Sequence, residues 1–293
     1  MSHAAALAGA TAISFSAIFF DLADVTPVTG AFWRAAYALP VLFALSLAGR
    51  AGDRRSRRER SMALLAGLLL GIDVVAWHAS IDHIGAGLAT LLANSQVVIV
   101  AFLAWLVLGE RPARAVVLAV PVVLVGVTLV SGLGRDDAFG ENPVLGTILA
   151  MVAAAFYACF LLLFRQSNRR KVPPARPLLE ATTGYAASAL VIGLVGPGVD
   201  MVPEWPSHGW LVALALLAQV LGWLLIGYAL PRLPAAETST IILLQPVLTM
   251  TWGALLLAER PSALQLAGAA IVLAGVGTVV RASVTRRRIP VEV

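Results

Sequence analysis

The stretches "LGERPA" at Leu108–Ala113 and "LAERPS" at Leu257–Ser262 carry the same Glu-Arg-Pro triplet 149 residues apart. Asp, Glu, Lys and Arg make up only 13% of the 293 residues, so an acid, a base and a proline repeated in register stand out. Shifting the chain by 149 aligns residues 86–130 with 235–279 without a gap, and 13 of those 45 positions are identical. They include Gln96/Gln245, Gly126/Gly275 and the triplets themselves. Apolar matches are cheap, but a glutamine and a charged triplet in register are not. The spacing therefore predicts two copies of one unit.

The solvent of those units follows from composition. Hydrophobic residues make up 59% of the chain and the mean hydropathy is +0.88, above the apolar share of a soluble domain. Ten apolar segments are readable near 4–23, 28–48, 61–81, 86–107, 113–132, 144–164, 177–197, 209–230, 234–256 and 263–281. Each is about as long as a helix that crosses a bilayer. Helix is the expected form, because an open sheet would strand its backbone polar groups in hydrocarbon. The expected fold class is thus all-α, a polytopic membrane protein of ten transmembrane helices. The N-terminal run has no basic leader and is too long for a cleaved signal, so it reads as a span.

Lys and Arg set the orientation. With the N-terminus inside, 18 basic residues fall on inside loops, from Arg50, Arg54, Arg55, Arg57, Arg58 and Arg60 through Arg169, Arg170, Lys171 and Arg232 to Arg286, Arg287 and Arg288. Only Arg135 and Arg260 fall outside, where Asp24, Asp136, Asp137, Glu141, Asp200 and Glu204 gather. Five spans per half is an odd number, so the second copy sits upside down relative to the first. Inverted repeats of this kind are typical of secondary transporters. The domain organisation expected is residues 1–135, residues 144–281 in inverted topology, and a cytoplasmic tail at 282–293. Both termini are placed in the cytoplasm of a multi-pass protein of the bacterial cytoplasmic (inner) membrane. Each triplet becomes the turn between the fourth and fifth helices of its half, with proline in the first turn of the next helix.

Longer stretches carry a resemblance. "FWRAAYALP", "GIDVVAWHASIDHIGAGLATLLANSQVV", "AFYACFLLLFR" and "AQVLGWLLIGYALPRLPAAETSTIILLQPV" occur in this order with the two triplets, over nearly the whole chain. In them the chain resembles the drug/metabolite transporter superfamily, in its ten-helix EamA-type branch. The resemblance implies two inverted five-helix halves around a central cavity that opens alternately to either side. It also implies export of metabolites such as amino acids. One departure is that Val97 stands where the second half has Pro246, which predicts a helix break in the second half only.

Charge inside hydrocarbon costs roughly 2.5–3.5 kcal/mol per residue, so intramembrane ionisable residues are the first candidates for a site. Asp73 lies mid-span. At about 100° per residue Trp77 is about 40° from it, Ser80 is nearly in line and His78 is about 140° away. One face thus offers a carboxylate, an indole and a hydroxyl for a substrate or a proton; the structural alternative is a buried acid bonded to a neighbouring helix. His78 is either a proton carrier or a packed core histidine. Arg34 either attracts a substrate carboxylate or pairs with an outside acid such as Asp24. Glu180 and Glu237 lie nearer helix ends. Asn94, Gln96 and Gln245 are mid-helix amides that either recognise a ligand or bond between helices. Gln219 with Trp223, and the rings of Tyr157 and Trp252, complete the candidates.

With the resemblance, the leading expectation is a secondary exporter of a small metabolite, an amino acid or a relative of one. The alternatives are an uncoupled facilitator or importer of a small metabolite or cationic drug, the membrane subunit of an ATP-driven complex, and, least favoured, a membrane-embedded enzyme. The chain has no G-x-x-x-x-G-K-[ST] loop and no metal-ligand pattern of Cys and His. Small-molecule substrate, lipid and protons are the partners expected, as a monomer or weak homodimer, with no cofactor, metal or nucleic acid.

Overall fold

A computed structural model describes residues 2–48, 53–109, 112–168, 172–229 and 235–288. Glu110, Arg111, Arg50, Arg169, Arg170, Lys171 and Arg232 lie outside the described residues. So do the side chains of Glu237, Arg286, Arg287 and Arg288, and the tail from 289 onward.

The described residues form helices and connecting turns, with no strand among them. α1 (Ser2–Ala23) is kinked at Phe15, and the Ser14 carbonyl at the kink accepts from Thr249 Oγ1 at 2.9 Å. α2 spans Pro27–Ala48. The helix Arg57–Ala93 turns at Gly85, whose φ of 79° suits a residue without Cβ. The turn divides it into α3 (57–84) and the first segment of α4 (86–93); α4 continues as Gln96–Leu108. Then come α5 (Arg114–Val130), α6 (Pro143–Ser167), α7 (Ala175–Val195) and α8 (Ser207–Ala229). α9 (Ala235–Leu256) and α10 (Ala263–Arg288) are the last of the described helices.

Seven of these helices are long and apolar enough to cross a membrane, and shorter apolar helices at Gln96–Val107, Arg114–Val130 and Leu243–Leu256 supply further legs. Phe43, Leu106, Leu118, Leu194 and Leu255 face outward from the bundle, as side chains do when lipid is the solvent. Where helices meet, small residues let backbones approach. A Cβ on Gly67 would overlap the Ala181 carbonyl, and one on Gly184 the Leu64 carbonyl, so α3 and α7 pack main chain to main chain. The main contacts distant in sequence are of α3 with α6 and α7, and of α8 with α1 and α2. α2 with α7, α4 with α9 and α5 with α10 pair across the centre.

Capping chemistry fixes where the helices start. Ser56 and Glu59 form a reciprocal capping box at α3, and Asn142 accepts from the Leu145 N–H ahead of Pro143 at α6. Ser262 and Gln265 make the same reciprocal pair at α10. This corrects the sequence reading of the triplets: Pro112 and Pro261 both stand two residues before the first helical residue, because Ala113 and Ser262 occupy the cap. The proline break is corrected too. Pro246 lies within continuous α9, while α4, without a proline, tightens to i→i+3 bonds through Asn94 and Ser95. Asn94 Nδ2 donates to the Thr90 carbonyl at 2.8 Å, and this local bond competes with the helical ladder.

The end of the bundle holding the N-terminus also holds a buried ion cluster. Arg55 donates to both oxygens of Asp53 and lies 2.8 Å from Glu180, while Arg176 reaches Asp53 at 3.1 Å. Glu180 is therefore part of the clamp joining the α2–α3 connection to α7. The opposite, acidic end holds Asp21, Asp24, Glu141 and Asp200.

Candidate functional site

Arg34 organises the middle of the bundle. Its side chain is buried, with Nε donating to Gln219 Oε1 and Nη1 to Ser16 Oγ, each at 3.0 Å. Gln219 Nε2 in turn donates to Thr182 Oγ1 at 3.3 Å. One hydrogen-bonded chain thus joins α1, α2, α8 and α7. Gln219 lies in a π-helical stretch of α8, Leu214–Gly222, a backbone form that recurs at functional sites. The outward pairing of Arg34 with Asp24 is not formed. The guanidinium instead lies 5.9 Å from the centre of the Trp77 ring, within cation–π range.

Beside this chain lies a cavity of ≈ 260 Å³. Asp73 and Trp77 from α3 face it together with Arg34 and Gln219. Asn94 and Gln96 from α4 and Gln245 from α9 line it as well, as do Tyr157 and Trp223, whose rings meet edge to face at 6.5 Å. Asp73 is 7% exposed, and no donor among the described residues bonds its carboxylate. Trp77 Nε1, Thr90 Oγ1 and Gln96 Oε1 are also buried without a partner among the described residues. Buried polar atoms in native proteins nearly always have partners, so bare ones around a cavity are the ones a ligand or water would satisfy. The lining steps from Trp77 and Thr90 toward Ala10 and Ile226, and so toward the N-terminal end of the bundle.

Three sequence candidates stand apart from this lining. His78 is fully buried, stacked on Phe20 at 3.7 Å between centroids, with Nδ1 3.2 Å from the Pro27 carbonyl. Ser80 donates to the Gly146 carbonyl at 2.7 Å, which turns it toward α6 although it shares Asp73's helical face. Trp252 stacks on Phe15 and donates to Ser14 Oγ at 3.1 Å. Ser16 and Thr90 reach the cavity without having been singled out by the sequence. Hydroxyls are common in apolar helices, and the alignment of α1 against α2 that makes Ser16 a partner of Arg34 leaves no local pattern. Among the described residues, no three His, Cys, Asp or Glu side chains come together as ligands for a metal ion.

The model of a family described as "EamA-like transporter family" matches residues 1–132 and again residues 144–281. The threonine/homoserine exporter RhtA of Salmonella typhimurium is 28% identical over 243 residues, which cover 81% of this chain and 76% of that protein. The pseudopaline exporter CntI of Pseudomonas aeruginosa is 25% identical over 237 residues, 80% of each chain. A protein of known crystal structure superposes with a TM-score of 0.63 over 98% of this chain and 99% of its own, at 20% identity, a likeness of fold alone.

Proposed function

Because the chain belongs to the EamA-like transporter family, we propose that it is a secondary exporter of a small zwitterionic metabolite of the α-amino-acid type. The observation that carries this reading is the presence of Asp73 and Arg34 in one small cavity. A carboxylate with no protein donor suits an ammonium, and Arg34, whose Nη2 bonds no described residue, suits a carboxylate. Asn94 and Trp77 Nε1 can supply further bonds, while Leu70, Leu161 and Ile226 give the ligand's side chain an apolar wall. A cavity of ≈ 260 Å³ is just smaller than most ligand pockets, which run about 300–1,000 Å³, and so favours a metabolite over a peptide or a large drug. The names of RhtA and CntI, both exporters, support the direction. On release of substrate, Asp73 takes up a proton and carries it back, which couples export to the proton gradient without ATP.

The proposal includes two inverted halves, 1–135 and 144–281, followed by the tail 282–293. It places the basic end, with both termini, in the cytoplasm of the bacterial inner membrane. Two measurements test it. Purified full-length protein in liposomes is expected to move α-amino acids and to move the corresponding amine or acid, which lack one charge, at least about tenfold more slowly, the loss expected for one charged hydrogen bond. Equal rates for all three would remove the zwitterion reading. For topology, Cys placed at Ser56 in a Cys159→Ser background is expected to react with impermeant reagent only in permeabilised cells, and Cys at Asp137 in intact ones. The opposite pattern would reverse the orientation.

A further inference from the structure

Glu259, the acid of the second Glu-Arg-Pro triplet, does more than shape a turn. Its carboxylate crosses to the other half of the chain, where Oε1 accepts from the Ala86 N–H and Oε2 from the Gly87 N–H at 3.0 Å. These are the first amides of α4 after the Gly85 turn, donors that a helix start leaves without internal partners and that carry the positive end of its dipole. Burial pushes the Glu259 carboxyl up, the Gly87 and Ala86 donors draw it back, and nearby Asp21 adds to the rise. The seat is shaped by three glycines. A methyl on Gly253 would overlap the carboxylate, and Cβ atoms on Gly85 and Gly87 would stand only 2.7 Å and 2.9 Å from its oxygens. In the 149-residue register the positions matching Gly253, Gly87 and Gly85 are Ala104, Ala236 and Pro234. The repeat has conserved the acid and not its seat.

We infer that Glu259 is a positioning residue of the transport cycle: seated between Gly85, Gly87 and Gly253, it fastens the start of α4 to the α9–α10 turn and keeps the acidic end closed while the cavity extends toward the basic end. The segment it fastens carries Thr90, Ala93 and Asn94 of the cavity lining, so releasing it moves site residues and opens a route past them. Since the mirror positions lack the glycines, the two ends of the pathway are closed with unequal strength, and the resting state is the one shut at the Glu259 end.

The inference rests on the reading of the chain as an alternating-access transporter, but its test needs no substrate. A single Cys at Ala93, in the Cys159→Ser background of the full chain, reports which face an impermeant thiol reagent reaches it from. With Glu259 present, labelling is expected mainly from the basic face. Glu259→Gln removes the charge and one acceptor, and Gly253→Ala fills the seat without weakening helix propensity. Each is expected to shift the ratio of acidic-face to basic-face labelling upward by about tenfold or more, the effect of losing one charged hydrogen bond. Labelling from one face should rise as that from the other falls. An unchanged ratio in both variants overturns the inference, whatever the flux. So does an equal rise from both faces with lowered thermal stability, which would make Glu259 a fold-holding residue only. Failure to transport amino acids, with the labelling shift intact, would count against the substrate and leave Glu259's role standing.

Discussion

Asp73→Asn is expected to insert and fold as the parent does, yet to lose about 10- to 100-fold in amino-acid export, the range set by one hydrogen bond to a charged group. The substitution keeps volume and shape, and because no described residue donates to this carboxylate, little native bonding is lost. What disappears is the charge that meets the substrate ammonium and the group that exchanges a proton. Export from liposomes under an imposed proton gradient, beside thermal stability of the purified variant, separates the two consequences. Undiminished export at neutral pH would make Asp73 a buried acid without a transport role and would remove the centre of the proposed site.

Arg34→Met carries the second largest effect and, unlike Asp73→Asn, a mixed one. The methionine keeps much of the aliphatic stem but leaves Gln219 Oε1 and Ser16 Oγ without their donor. A stability loss of about 1–3 kcal/mol is expected from stranding a buried acceptor. Binding of an α-amino acid should weaken by about 10- to 100-fold, as for any lost charged bond, while the matching decarboxylated amine should bind nearly as before. Arg34→Lys should fall between, since one ammonium cannot span both partners in the planar fork that guanidinium provides. If affinity for amine and amino acid fell equally, Arg34 would be a scaffold for α1, α2 and α8, and the carboxylate would have to be held elsewhere.

Much of the architecture was legible because lipid imposes a simple rule. With no water to satisfy the backbone, apolar runs of sufficient length become helices, and Pro, Gly and charge mark their ends. That rule made the helical class readable, together with the approximate ends of the helices among the described residues; the family comparison matches the chain in two separate stretches, residues 1–132 and 144–281. The polar residues in mid-span were equally conspicuous, and the structure gathers Arg34, Asp73, Trp77, Gln219 and the paired amides around one cavity.

What the sequence by itself determined, then, was which residues are costly to bury; where their cost is met was decided only by tertiary structure. Helical angle put Ser80 beside Asp73, yet the Gly146 carbonyl of α6 claims its hydroxyl. His78 looked titratable, but Phe20 and the Pro27 carbonyl enclose it. Arg34 was read as turning outward or toward a ligand, and the π-helical stretch that aims Gln219 at it has no sequence signature. Glu259 looked like part of a turn until the fold placed the first amides of α4, 173 and 172 residues away in sequence, against its carboxylate. The physical reason is common to all of these. Periodicity fixes the direction of a side chain relative to its own helix, whereas a buried polar group is satisfied by whichever neighbouring helix the packing of small residues brings within about 3 Å.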